Sequence, residues 1–141
     1  DLLPKAGSDL LPKAGSDLLP KAGQFSKINM YKNNTYIGNS VFSIVNNKKS
    51  IIQNIFIKDQ FRGNKIGSIL LRETENIIKI NYQDIQEYNL LAYELPNSYL
   101  LEFYKSNGYN IDYSHPNKYY DDGLDIYNLV YMYKHINDLH P

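Results

Sequence analysis

The fold prediction starts from residues 51–68, IIQNIFIKDQFRGNKIGS, which contain a strand pattern, a glycine-containing turn and the start of a helical pattern. The first seven of these residues include four isoleucines and a phenylalanine, which predicts a buried β-strand. The turn that follows contains Arg62, Lys65 and two glycines, and it leads directly into a helical pattern. A helix that begins straight after such a turn offers unpaired N–H groups and a partial positive charge to phosphate oxygens. The stretch therefore predicts an anion site between a strand and a helix.

This turn differs from two common phosphate-binding motifs. It lacks the Gly-Lys-Ser/Thr ending of a P-loop. It also differs from the Rossmann fingerprint, because the strands before it follow an antiparallel pattern and no acidic residue is placed on a following parallel strand. A plain strand–turn–helix connection that binds nothing is the alternative interpretation.

The sequence before this stretch predicts an antiparallel meander. Residues 27–32 alternate in polarity, Asn33-Asn34 supplies turn chemistry, and residues 36–45 form a second β-rich run. A polar turn over residues 46–49 then leads to the strand over residues 51–57. Three strands joined by short turns favour antiparallel pairing.

The sequence after the turn alternates helices and strands. Apolar residues recur at helical spacing over residues 66–80, which predicts an amphipathic helix. A strand over residues 89–95 and a short helix ending at Asn107-Gly108 follow. The remaining elements are a strand over residues 109–113, a polar loop over residues 115–123 and a strand over residues 126–133. The order βββαβαββ predicts an α+β fold.

The N-terminal segment differs from the rest in composition. Residues 1–23 read DLLPKAGS twice and then DLLPKAG, without Asn, Ile or Tyr, whereas residues 24–141 contain 17 Asn, 16 Ile and 14 Tyr. A proline and a glycine in each copy prevent a helix longer than about one turn. We therefore expect residues 1–23 to be a tag or an opportunistically packed, flexible arm, and residues 24–141 to form one domain. A natural low-complexity leader is the alternative.

Composition argues against several functional classes. Lys plus Arg balance Asp plus Glu at 15 each, which argues against a nucleic-acid partner, and no apolar run is long enough to span a membrane. The chain has no cysteine, so disulfides, thiolate metal sites and a cysteine nucleophile are excluded. His115, His135 and His140 lack metal-ligand spacing, and we expect no metal. The absence of cysteine fits a cytoplasmic protein.

Two motifs resemble those of a known enzyme family. The pattern Arg62-x-x-Lys65-x-Gly67 resembles the acetyl-CoA signature Arg/Gln-x-x-Gly-x-Gly/Ala of the GNAT superfamily of N-acetyltransferases. Residues 97–109, NSYLLEFYKSNGY, resemble the second signature of that family, Asn-x-x-Ala-x-x-Leu/Phe-Tyr-x-x-x-Gly-Phe/Tyr. Over residues 26–134 the resemblance implies an N-acetyltransferase that uses acetyl-CoA. It also implies a mixed, mostly antiparallel twisted sheet flanked by helices, here without the family's N-terminal strand and pair of helices.

A third segment narrows the resemblance. Residues 118–127, KYYDDGLDIY, are similar to the Lys-Tyr-Tyr-x-Asp-Gly-x-Asp-Ala-Tyr segment of protein N-terminal acetyltransferase catalytic subunits. The similarity implies a peptide or protein N-terminus as the acceptor, and an auxiliary subunit or a homodimer is left open. The substrate-binding residues that it implies are Tyr119, Tyr120, Asp121 and Asp122. A chance tyrosine pair is the alternative, because the chain contains 14 tyrosines.

The resemblance also implies a role for each matching residue. Tyr104 would protonate the departing thiolate, and its alternative is a tyrosine of the core. The strand before the turn would pair with the pantetheine arm, the turn amides would hold the pyrophosphate, and the first residue of the second signature would order the cofactor. These cofactor-binding residues are Ile55, Phe56, Ile57, Arg62, Gly63, Asn64, Lys65, Ile66, Gly67, Ser68 and Asn97.

The general base is the largest departure from the family. Members commonly carry Glu or His on the third strand or on the strand before Asn97, but residues 50–57 contain no acid and the corresponding later position is Ala92. Glu94, two residues further and hence on the same strand face, is the candidate base, and an ordinary strand-end carboxylate is its alternative. Weaker candidates are the aspartates Asp121, Asp122 and Asp125.

Two smaller departures fall within the signatures. Lys65 replaces the first glycine, and its amide can still donate to phosphate if the backbone there is helical. Leu100 replaces a small residue and changes packing.

Because no cysteine can carry an acetyl group, transfer would be direct. A polyamine or aminoglycoside acetyltransferase, or a catalytically weak CoA-binding module, is the alternative function.

Overall fold

The computed structural model describes residues 10–14, 25–63, 65–94, 99–115, 118–121 and 126–136. Residues 10–14, 93–94, 118–121 and 126–128 are described by their backbone alone. The chain forms two compact units, Asp1–Ile85 and Gln86–Pro141. The glycine-containing turn lies in the first unit, and Tyr104 lies in the second.

Antiparallel strands that follow one another in chain order form the first unit's sheet. Their bounds are Leu10–Ala14 (β1), Phe25–Lys32 (β2), Thr35–Ile44 (β3) and Lys49–Ile57 (β4). Asn33 and Asn34 have φ angles of 48° and 67°, the left-handed pair that a two-residue hairpin turn requires. The predicted meander of β2, β3 and β4 is therefore confirmed.

Strand β1 comes from the second copy of the N-terminal repeat. It pairs with β2 from Leu10 opposite Lys32 to Ala14 opposite Ile28, and its proline is tolerated because β1 is an edge strand. Ten residues separate β1 from β2, whereas the same LLPKA stretch of the third copy ends only two residues before β2. The resemblance implied a domain without the family's N-terminal strand, and the repeat adds a strand beside β2.

Helix α1, Ile66–Asn81, packs on β3 and β4 with the predicted apolar stripe. Leu70, Thr74 and Ile78 are fully buried on that face. The Thr74 hydroxyl donates to the Leu70 carbonyl oxygen at 2.8 Å, and the Ser40 hydroxyl of β3 lies 2.6 Å from it. Because Thr74 uses its single proton on Leu70, Ser40 is the donor in this buried link between helix and sheet.

The second unit is built around one long strand. Its elements are β5 (Glu87–Glu94), α2 (Leu100–Ser106), β6 (Asn110–Ile111), β7 (Lys118–Asp121) and β8 (Ile126–His135). Strand β8 pairs antiparallel with β5 along one edge, and with β6 and β7 in succession along the other. Helix α2 packs on β5, and the glycine after it, Gly108, has a φ of 93°, as the predicted helix end requires.

Two predictions for this unit gave wrong bounds for strands. The strand predicted over residues 109–113 is the two-residue β6, and the predicted polar loop over residues 115–123 contains β7. Strand β7 forms because it lies opposite residues 126–129 of β8. Local polarity does not reveal such a pairing, since strand formation depends on the neighbouring strand.

Neither a metal site nor a membrane span is found in the described parts of the chain. They contain no group of three metal-ligand side chains, and no helix in them is long and apolar enough to cross a membrane. His115 and His135 are exposed, as expected for surface residues, and His115 stacks on Tyr131 with a centroid distance of 4.8 Å.

Candidate functional site

The turn between β4 and α1 is a short, hydrogen-bonded structure. Residues Asp59–Phe61 form one 3₁₀ turn, in which the Phe61 amide donates to the Lys58 carbonyl oxygen at 2.9 Å. The Lys58 amide donates to the Ile37 carbonyl oxygen of β3, also at 2.9 Å, so the turn begins on the sheet. Gly63 has a φ of 91°, a conformation that favours glycine, and open space surrounds the position where a Cβ would lie.

Lys65 adopts a left-handed backbone with φ 60° and ψ 16°, just before the first residue of α1. The predicted phosphate contact of this amide was conditional on a helical backbone, and the structure shows the left-handed rather than the right-handed form. This conformation costs a non-glycine residue about 1–2 kcal/mol. A left-handed backbone favours glycine, which is the residue that the resembling signature has at this position. This chain has the same backbone conformation with a lysine.

The beginning of α1 is suited to an anion. The side chain of its N-cap residue, Lys65, makes no capping hydrogen bond, and its first turn contains no acidic residue. The first bond of the helix runs from the Ile69 amide to the Lys65 carbonyl oxygen at 3.1 Å, so the amides of Ile66 and Gly67 precede the helical ladder. Lys58, Arg62 and Lys65 add positive charge within eight residues. This arrangement fits a pyrophosphate group.

Arg62 holds the turn against the end of β4. Its Nε donates to the Ile57 carbonyl oxygen at 2.8 Å, and its guanidinium lies 3.0 Å from an Asp59 carboxylate oxygen. The Arg62 side chain is still 59% exposed, so its charge remains available at the surface of the turn. The sequence indicated the cation but not the carbonyl that it binds, because that bond depends on the path of the turn.

Sequence reasoning missed a second cationic contact beside the turn. The Lys58 ammonium lies 5.3 Å from the centroid of the Tyr36 ring, and the Tyr36 hydroxyl accepts a hydrogen bond from the Asn39 side chain. Tyr31 packs edge-on against the same ring, with centroids 5.9 Å apart. The cross-strand pairing of Tyr31 with Tyr36, next to the predicted Asn-Asn turn, was the available signal.

Strand β4 carries the residues predicted to pair with pantetheine. On one edge, Ile55, Phe56 and Ile57 lie opposite Ser40, Asn39 and Gly38 of β3, respectively. The register shifts at Gln53, because Val41 lies opposite Asn54 and Phe42 opposite Ile52. Such a bulge bends a strand locally. The pantetheine role concerns the opposite edge of β4 and stays a prediction.

Tyr104 lies in the last turn of α2 and is only 5% exposed. Its ring packs edge-on against Phe103 and Tyr109, with centroid distances of 5.2 Å and 6.0 Å. Burial raises the pKa of Tyr104 to about 12. Within the residues that the structure describes, the Tyr104 hydroxyl has no hydrogen-bond partner. A buried phenol of this kind is a proton or hydrogen-bond donor that retains its proton at neutral pH.

The pKa of Tyr104 predicts a specific loss of stability in alkali. The folded chain keeps the phenol proton up to about pH 12, whereas the unfolded chain releases it near pH 10. This contribution to stability is complete below pH 10 and is lost as the pH rises through 12, on the order of 3 kcal/mol in total. Urea unfolding of wild type and of Tyr104→Phe, below pH 10 and above pH 12, measures this change in the free energy of unfolding. Equal pH dependence of both proteins would contradict the assignment.

The strand register brings two further candidates into one row. Glu94 of β5 and Tyr119 of β7 both lie opposite Asn128 of β8, one on each edge. Their Cα atoms are therefore about 10 Å apart, twice the spacing of neighbouring strands. Only the backbone is described at these positions, and the same holds for Tyr120 and Asp121, which lie opposite Tyr127 and Ile126. The predicted site residues Asn64, Asn97, Asp122 and Asp125 lie outside the described residues.

Comparison with known families identifies the class of protein. A family model described as an acetyltransferase (GNAT) domain matches residues 27–111, which is more than half of the chain. The chain therefore belongs to the GNAT acetyltransferases, and it is an N-acetyltransferase that uses acetyl-CoA. No curated protein sequence matches it.

Solved structures confirm the mixed α+β fold. A GNAT family acetyltransferase from Elizabethkingia anophelis with acetyl-CoA bound matches with a TM-score of 0.71 and 13% identity, over 92% of this chain and 99% of that one. The PaiA N-acetyltransferase from Thermoplasma acidophilum in complex with coenzyme A has 27% identity and a TM-score of 0.59, over 79% of this chain and 60% of that one. Ard1 from Thermoplasma volcanium has 20% identity and a TM-score of 0.64, over 78% and 70%.

Proposed function

We propose that this acetyltransferase moves the acetyl group of acetyl-CoA directly to the α-amino group of a protein or peptide N-terminus. The observation that carries this proposal is the row formed by Glu94, Asn128 and Tyr119 across the second unit's sheet. It joins the candidate base to the segment that resembles N-terminal acetyltransferases. In this proposal Tyr119, Tyr120 and the acidic residues after them bind the N-terminal end of the acceptor.

The first unit holds the cofactor in this account. The amides that begin α1 and the turn before it bind the pyrophosphate, and Arg62 and Lys65 add charge. The left-handed backbone at Gly63 and Lys65 supports this role, because left-handed residues in a turn can direct successive backbone N–H groups toward an anion. The backbone of Ile55–Ile57 pairs with the pantetheine arm, and Asn97 orders the bound cofactor.

The chemistry fits an α-amine better than a lysine side chain. Acetyl-CoA supplies an activated thioester whose C–S bond breaks as the new C–N bond forms. A peptide α-amine has a pKa of about 7.7–8.0 and is partly neutral at pH 7, whereas a lysine amine near 10.4 is almost entirely charged. Strand β5 has Ala92 where the resemblance places the base, so the site's general base is a poor one. An acceptor that needs little deprotonation suits such a site.

Tyr104 donates to the departing sulfur in this proposal. Its raised pKa keeps the phenol protonated throughout the working pH range, and the hydroxyl lacks a partner among the described residues. The amine proton leaves to Glu94 or to water, and the sulfur receives a proton from Tyr104. Glu94 then releases its proton to water and the phenolate regains one from water, so both groups return to their starting states.

Replacement of Arg62 tests the cofactor half. Arg62→Met removes the hydrogen bond to the Ile57 carbonyl and the charge beside the turn, and we expect CoA affinity to fall about tenfold. Arg72→Met is the matched control, because Arg72 is exposed on α1 and lies beyond its first turn. Calorimetric titration with CoA measures both. Equal affinities of the two variants would remove Arg62 from the site.

A thiol-release assay with acetyl-CoA tests the acceptor. The panel contains peptides with a free N-terminus, the same peptides with a blocked N-terminus and an internal lysine, and spermidine. We expect release only with free N-termini. Release only with spermidine or with blocked lysine peptides would instead support a small-amine or lysine acetyltransferase. The acidic side chains within residues 121–125 would also attract the positively charged amine of such an acceptor. Tight CoA binding without release from any amine would indicate a CoA-binding module.

A further inference from the structure

Lys134 of β8 is a buried lysine that the reaction described above does not use. Only 4% of its surface is exposed. A charged amine in such a place requires compensating partners, because removal from water is costly. Two of its partners, Asn107 and Tyr109, lie at the C-terminal end of α2, the helix that carries Tyr104. We propose that Lys134 is a positioning residue for Tyr104, an inference that rests on the donor role given to Tyr104.

The first contact is a hydrogen bond to the end of the helix. The Lys134 ammonium donates to the Asn107 carbonyl oxygen at 2.9 Å. Helix α2 has seven residues, too few to be stable without tertiary contacts. Its last carbonyl groups lack partners within the helix, and a cation at this end also stabilises the helix dipole. The Lys134 side chain, which belongs to strand β8, therefore caps the C-terminal end of α2.

The backbone of this cap is bonded directly to Tyr104. The Tyr104 carbonyl oxygen accepts from the Asn107 amide at 3.0 Å and from the Tyr109 amide at 3.1 Å. Between them, Gly108 has a φ of 93°, and a Cβ there would lie 3.1 Å from Cδ of Lys134. The lysine stem thus packs closely on the residue that turns the chain. A shift of Lys134 would be transmitted to the last turn of α2.

The second contact runs through aromatic rings. The Lys134 ammonium lies 5.0 Å from the centroid of the Tyr109 ring, within the range of a cation–π interaction. The Tyr109 ring packs edge-on against Tyr104 at 6.0 Å. Tyr109 is 2% exposed and has little room to move. Lys134 therefore restrains Tyr104 by two routes, one through the backbone and one through the Tyr109 ring.

Lys134→Met tests this arrangement, because methionine keeps most of the stem and removes the ammonium. We expect kcat to fall about tenfold with the fastest amine of the acceptor panel, since a small displacement of a catalytic group has an effect of this order. Affinity for CoA should change less than about twofold. The matched control is Lys105→Met, which removes an exposed lysine of the last turn of α2 and should leave kcat within about twofold of wild type.

A double-mutant cycle separates positioning from general stability. In a Tyr104→Phe background, Lys134→Met should lower kcat less than about twofold, because the donor that it positions is gone. A tenfold loss in both backgrounds would overturn the proposal. A Tyr104→Phe variant with wild-type kcat would also overturn it, while acetyl transfer itself would stand. The identity of the best amine tests only the proposed acceptor, so the two failures are distinguishable.

Tyr109 provides a second pair of variants if Lys134→Met does not fold. Tyr109→Phe keeps the ring between Lys134 and Tyr104 and should retain kcat. Tyr109→Leu removes the ring and should lower kcat about tenfold, again only when Tyr104 is present. Equal kcat values for the two Tyr109 variants would contradict the aromatic route.

Discussion

Tyr104→Phe is expected to lower kcat by about 10²-fold or more and to leave CoA affinity nearly unchanged, because in the proposed mechanism the hydroxyl acts on the sulfur only as the C–S bond breaks. The phenol is 5% exposed, and among the described residues its hydroxyl has no partner, so phenylalanine should fill the same space at little cost in folding. Steady-state kinetics with acetyl-CoA and the best acceptor, together with CoA titration, measure the two effects separately.

Tyr113→Phe is the matched control for this result. Tyr113 belongs to the same unit and is 86% exposed, so loss of its hydroxyl should leave kcat unchanged. A Tyr104→Phe enzyme as active as the control would remove Tyr104 as the donor. A Tyr104→Phe enzyme with weakened CoA binding and an unchanged kcat would show that the hydroxyl binds the ground state instead.

Gly38→Ala is expected to destabilise the fold by about 3 kcal/mol, which lowers Tm by about 10 °C for a domain of this size. A Cβ at Gly38 would lie 2.2 Å from the Phe56 carbonyl oxygen and 2.9 Å from the side chain of Ile57. The first of these atoms is backbone at the end of β4, so relief requires the strand itself to move. Thermal unfolding followed by circular dichroism measures the change.

Gly63→Ala provides the contrast for Gly38→Ala. Nothing lies within 4 Å of a Cβ at Gly63, but the φ of 91° is unfavourable for alanine. We therefore expect a loss of about 1 kcal/mol, from backbone strain alone. Gly38→Ala with a Tm equal to or above that of Gly63→Ala would show that β3 and β4 are not packed as described.

Local patterns predicted most of the elements that surround the turn. The alternation before Asn33, the isoleucine-rich strand and the stripe of α1 each depend on neighbours in sequence, and the structure contains all three. The Asn107-Gly108 end of α2 also follows from local backbone chemistry. In these places a short stretch of sequence contains the information that the fold uses.

Other features depend on distant partners and could not be predicted. Strand β7 needs β8, and β1 needs the edge of β2. The burial of Lys134 also depends on a distant partner. A lysine is ordinarily predicted to be exposed, and the sequence does not reveal that the Asn107 carbonyl oxygen accepts its hydrogen bond. The left-handed backbone at Lys65 could be anticipated only from the glycine of the resembling signature, since lysine itself does not favour it.

The central claim is direct acetyl transfer to an α-amine, and one competition measurement tests it. A peptide with a free N-terminus and one internal lysine is incubated with acetyl-CoA and the enzyme, and tandem mass spectrometry locates the acetyl group. We predict acetylation of the α-amine, with the lysine left unmodified. Acetylation of the lysine in preference to the α-amine would contradict the account.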